Sequence, residues 1–124
     1  CSFTDPNLNY KLFSQMWTAS TSATDILAHV ADDPRQIFQV QGDAAIAQTG
    51  LGNNCDIITY AAGNTNIGKS ILALDAGNIA TTNTLPLRII DFVDGPFSTV
   101  GDSFTDVLVV WNADIHQYDL ALGT

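Results

Sequence analysis

Glutamate is absent from this chain and cations are scarce: four Lys and Arg stand against thirteen acidic residues, all Asp, for a net charge of -9 over 124 residues. Glu is a strong helix former, whereas Asp, Asn, Ser and Thr draw the backbone into caps and turns, so this choice of acid points away from long helices. The four cations, Lys11, Arg35, Lys69 and Arg88, are scattered. Duplex binding runs on Lys and Arg neutralising phosphates, which argues against a nucleic-acid partner. Cysteine is equally sparse, with Cys1 and Cys55 alone. Two are too few for a disulfide framework in a domain of this size, and two free thiols in a protein assembled in a reducing cytoplasm are expected, with one bridge left open. No apolar run approaches the roughly 18 to 20 residues of a membrane-spanning helix, so no membrane partner is expected.

What remains is 46% hydrophobic and 14% charged, a composition that folds as one domain, expected over residues 1–124. Short stretches that alternate or run apolar are separated by turn clusters about every dozen residues, the pattern of an antiparallel β-sandwich or barrel. Six strands are predicted: Leu8 to Phe13, Ile26 to Ala31, Gln36 to Gln41, Cys55 to Tyr60, Leu87 to Val93 and Thr105 to Trp111. Asp5-Pro6-Asn7, Asp32-Asp33-Pro34, Gly52-Asn53-Asn54, Gly63-Asn64, Asp94-Gly95-Pro96 and Gly101-Asp102 supply the turns. Asp43 to Thr49 and Ser70 to Leu74 are each expected to make at most one helical turn, and Asn78 to Thr84 a long surface loop. The last two predicted strands are nearly continuous apolar runs, expected to be central and covered on both faces, with Trp111 in the core.

One motif demands a chemical test. Gly63-Asn64-Thr65-Asn66-Ile67-Gly68-Lys69-Ser70 matches the P-loop pattern, in which backbone N–H groups and the Lys hold phosphates and the Ser reaches a metal ion. Gly63, Gly68, Lys69 and Ser70 are therefore the candidate nucleotide-binding residues. A P-loop must open onto a helix, however, and here Gly77 breaks the following segment after one turn. His29 and His116 lack a second His at zinc-ligand spacing. Asp91 with Asp94, or Asp114 with Asp119, offer oxygen ligands without the spacing of a calcium loop. No grouping carries a nucleophile signature. The expectation is no enzyme, no cofactor and no metal.

Two blocks of sequence resemble a family of tailed-bacteriophage virion proteins found beside the major capsid protein. The first is Val30-Ala31-Asp32-Asp33-Pro34 followed by Ile37-Phe38-Gln39-Val40-Gln41. The second runs from Gly50 to Asp56, through Ser70 to Asp75 and Ala80-Thr81-Thr82, to Leu85-Pro86-Leu87-Arg88-Ile89-Ile90. It continues with Gly101-Asp102, Val107-Leu108-Val109 and Asn112 to His116-Gln117-Tyr118. Order and spacing carry the resemblance, which covers most of the chain. The chain departs from the pattern at Ala113-Asp114-Ile115 and at Lys69, which the family does not require. Cys1 to Asp5 and Phe13 to Trp17 look like the middle of such proteins, so a preceding segment is expected to be missing.

The resemblance implies a capsid decoration or cement protein on the exterior of the virion, assembled in the host cytoplasm. Its partners would be the major capsid protein and copies of itself, as a trimer or dimer. The contact residues expected on this basis are Phe3, Tyr10, Phe13 and Trp17 near the start, with His116, Tyr118 and Leu120 in the tail. The alternative is a glycan- or receptor-binding β-sandwich of the virion surface using exposed Trp or Tyr, and behind it the P-loop reading.

Overall fold

The computed structural model describes residues 1–17, 20–64 and 66–112. They are strands, turns and two short 3-10 turns, Gln48–Gly50 and Ala76–Asn78, so the all-β class holds. No described sheet closes on itself, which removes the barrel from the expectation. The chain divides into two compact units, one of Cys1–Ala31 with Ala62–Ile71, the other of Asp32–Ala61 with Leu72–Thr124.

In the first unit, β1 (Ser2–Thr4) pairs antiparallel with β2 (Lys11–Phe13). The predicted Asp5-Pro6-Asn7 turn joins them. Asp5 Oδ1 accepts from Asn7 N–H at 2.7 Å and Leu8 N–H at 3.1 Å, and Asn9 N–H donates to Asp5 O. This is the Asx chemistry that makes Asp a turn former. The far edge of β1 is covered by a single bridge, Ser2 to Leu27. That bridge is all that forms of the strand expected at Ile26 to Ala31. Its side chains are exposed, and a strand with nothing to bury has little to offset the cost of ordering it.

The second unit holds a four-stranded antiparallel sheet in the order β3-β8-β7-β4. Its members are β3 (Phe38–Gln41), β8 (Asp106–Trp111), β7 (Leu87–Phe92) and β4 (Asn54–Cys55). A ribbon of β5 (Ile57–Thr59) and β6 (Leu72–Leu74) adjoins it through a bridge from Leu74 to Gly42. Ser70 to Leu74, expected as a helical turn, is thus partly strand: pairing Leu72–Leu74 with β5 and burying Leu74 outweighs local preference. The core is Ile46, Cys55, Leu74, Leu87, Ile89, Val107 and Val109. The strands β7 and β8 are central, but only one face of β7 is covered, since Leu87 and Ile89 are buried while Arg88 and Ile90 face solvent. A register shift at Ile90, between the pairs Ile89 with Val109 and Asp91 with Leu108, bulges β7. Trp111 is half-buried and packs against this core, edge-on to Phe38 at 5.7 Å.

A buried hydroxyl ties the 43–50 loop to the core. Ile46 N–H donates to Thr105 Oγ1 at 3.0 Å, and that hydroxyl donates to Asp102 O at 2.9 Å. Cys1 and Cys55 are free thiols, and Cys55 is buried. Desolvation, and then the Asp56 carboxylate, pushes the Cys55 thiol up to about 12. The folded thiol therefore holds its proton more tightly than an unfolded one near 9. Its contribution to stability is undiminished below about pH 9 and falls as the pH climbs from there towards about 12. Cys55 should resist a thiol reagent at neutral pH until denaturant unfolds the second unit, and Cys55→Ala should flatten the alkaline decline in melting temperature.

Candidate assembly surface

Charge divides unevenly between the units. The first carries Asp5 and Asp25 against Lys11 and Lys69 and is neutral, so the whole excess of nine negative charges belongs to the second. The neutral unit also exposes large apolar side chains, including Leu8, Tyr10, Phe13, Trp17, Leu27 and Val30. The second unit exposes large apolar side chains as well, among them Ile37, Ile57, Tyr60, Phe97 and Phe104, so what sets the first unit apart is that its exposed apolar residues sit on a neutral unit.

The strand register shows how part of this surface is built. Ser2 pairs with Phe13 on one side and bridges Leu27 on the other, so the three side chains share one face. Ser2 is buried beneath its neighbours, and His29 Nε2 lies 3.3 Å from its hydroxyl. The His29 ring stands 6.5 Å from that of Phe13. Phe13 is 77% exposed and Leu27 55%. Two residues along the strands, Thr4 pairs with Lys11 on the same face. Asp25 completes this row, accepting from Thr4 N–H at 2.8 Å and from Thr4 Oγ1 at 2.7 Å. The Thr4 hydroxyl first and its N–H second hold the Asp25 carboxyl below its ordinary value, with Lys11 adding a smaller pull.

Of the residues expected to make contacts, Tyr10, Phe13 and Trp17 are each exposed on this unit, Phe13 on one face of β1–β2 and Trp17 packed on the other. Phe3 is corrected: it is 6% exposed on the opposite side of β1, with the Trp17 ring edge-on at 4.9 Å. Strict alternation with Ser2 and Thr4 sends Phe3 inward, a signal hidden because β1 is only three residues long. His116, Tyr118 and Leu120, like Asp114 and Asp119, lie outside the described residues. Leu27, His29 and Val30 are exposed where a strand over Ile26 to Ala31 is predicted, so their place at the surface is not legible in the sequence.

The P-loop match closes on itself as a hairpin. Asn64 N–H donates to Lys69 O at 2.9 Å, and Lys69 N–H donates back to Asn64 O at 3.0 Å. Beyond Lys69 the chain enters β6, a strand and not a helix. Both glycines have a local reason. A Cβ at Gly63 would stand 2.8 Å from Lys69 O. Gly68 has φ +64°, and a Cβ there would meet Met16 Sδ at 2.5 Å. The spacing that mimics phosphate binding is what this turn needs. Gly68→Ala should therefore cost the fold about 1 to 2 kcal/mol, whereas Lys69→Ala, at an exposed position, should stay within about 0.5 kcal/mol. Denaturant melts of the two variants test this, and Mg-ATP should move neither melting temperature.

In the second unit, a depression of about 270 Å³ is lined by Ala45, Ala47, Thr49, Asn53 and Ile79 among others, none of them titratable. Among the described residues no three of His, Cys and Asp converge to hold a metal ion, and no helix is long and apolar enough to cross a membrane. Compared with protein-family models, curated proteins and solved structures, the chain matches none.

Proposed function

We propose that this chain is a structural subunit of a tailed-phage particle, decorating or stabilising the outside of the capsid shell without catalysing a reaction. The observation that carries the reading is the order and spacing of the two blocks, Val30 to Gln41 and Gly50 to Tyr118, which resemble virion proteins encoded beside the major capsid protein. The charge division supports it. A neutral unit exposing Tyr10, Phe13 and Trp17 suits contact with shell and neighbouring subunits, while the negative charge of the acidic unit keeps it hydrated and repels DNA. Tyr and Trp are the residues that most often anchor such contacts.

The test is co-sedimentation of purified protein with shells that lack it, bound copies being counted by quantitative mass spectrometry. Saturation at a multiple set by shell symmetry is expected. A folded protein that binds no shell overturns the reading. Binding to host-surface glycans, lost in Trp17→Ala, would then favour a receptor-binding role.

A further inference from the structure

Resting on the reading of the first unit as the assembly unit, we propose that the Phe13 face of the β1–β2 ribbon contacts the same face of a second copy across a two-fold axis running along β1. The face has two rows. One is Phe13, Ser2 and Leu27; the other is Lys11, Thr4 and Asp25. In each row a small side chain on β1 lies between larger ones. A two-fold axis parallel to β1 exchanges the two flanks. It sets Phe13 of one copy against Leu27 of the other, and Lys11 against Asp25, with both pairs formed twice. This is the self-complementarity that a two-fold contact requires.

Charge selects a second copy as the occupant. The chain as a whole carries -9 and would repel itself, but this unit is neutral, and its face presents one cation and one anion on opposite flanks. Asp25 is already fixed in place by Thr4, each of its oxygens accepting one hydrogen bond. A carboxylate offers about four acceptor positions, so room remains for an ammonium from across the axis. At the centre of the second row Thr4 is exposed, whereas Ser2 in the first row is buried, with His29 Nε2 3.3 Å from its hydroxyl.

Sedimentation equilibrium of the whole chain, from micromolar to millimolar, provides the test. Wild type should dimerise. Phe13→Lys alone and Leu27→Glu alone should each raise the dimer dissociation constant by on the order of 100-fold. Mixed in equal amounts, the two variants should dimerise again, because Lys at 13 of one copy then meets Glu at 27 of the other. Circular dichroism checks folding; if either charged variant unfolds, Phe13→Ala and Leu27→Ala should each weaken the dimer about tenfold. A wild type monomeric at millimolar concentration, unaltered association in the variants, or folded charged variants that fail to rescue one another overturns the contact. A monomer that still saturates shells removes this contact and leaves the shell role standing, while a dimer that binds no shell does the reverse.

Discussion

Asn112→Asp is expected to be among the most damaging single changes in the second unit, costing about 4 kcal/mol at neutral pH. Asn112 is 5% exposed. Its Nδ2 donates to Asn83 O at 2.7 Å and to Leu85 O at 2.8 Å, and its backbone N–H donates to Pro86 O at 2.9 Å. One side chain thus ties the 83–86 loop to the residue just past β8. Asp is the same size, but an ionised carboxylate only accepts. It would leave two carbonyls unsatisfied and hold a negative charge against them. The loss corresponds to a melting temperature lower by roughly 15 to 25 °C. Burial would raise the new carboxyl's pKa, so its penalty is smallest when protonated and grows as the pH rises through that value. The variant should therefore recover part of its stability near pH 4, whereas Asn112→Ala, which loses the bonds without adding charge, should not. Equal losses for the two variants at neutral pH would contradict this account of the site.

Leu74→Ala should cost about 3 kcal/mol in chemical denaturation. Leu74 is fully buried among Ile46, Cys55, Leu87, Ile89, Val107 and Val109. Its carbonyl accepts from Asp43 N–H at 3.0 Å, a bond the substitution keeps, so the loss is one of apolar contact and of the cavity left behind. Leu72, two residues away on the same strand, is 58% exposed. Leu72→Ala should stay within about 0.5 kcal/mol. The contrast checks that β6 belongs to the core through one side chain and not through its apolar composition.

Legibility in the sequence followed how much each segment buries. Leu87–Phe92 and Asp106–Trp111 were readable because long β-branched runs admit one structure when they form the middle of a sheet. Ile26 to Ala31 has similar composition and no partner beyond the Leu27 bridge, so composition misled where tertiary context was missing. The short strand β1 carried too few residues for a period to show, which is why Phe3 reads as a surface residue in the sequence. The glycines of Gly63 to Ser70 were visible, but their cause was not. The lack of a following helix argues against a phosphate cradle in the sequence, and the hairpin hydrogen bonds and the Cβ clashes at Gly63 and Gly68 give the glycines their local cause. The division of charge was present in the sequence throughout, and became informative once the fold assigned Lys11, Lys69, Asp5 and Asp25 to one unit.

The central claim, that the neutral unit is the one that assembles, is tested most directly by hydroxyl-radical footprinting of the protein free and bound to shells. Tyr10 and Trp17 report on the first unit, being 52% and 39% exposed, and Tyr60 and Phe97 on the second, at 52% and 95%. Oxidation of Tyr10 and Trp17 should fall several-fold on binding while Tyr60 and Phe97 remain as reactive as in the free protein. Protection of Tyr60 and Phe97 with Tyr10 and Trp17 unchanged would contradict the account and make the acidic unit the docking surface.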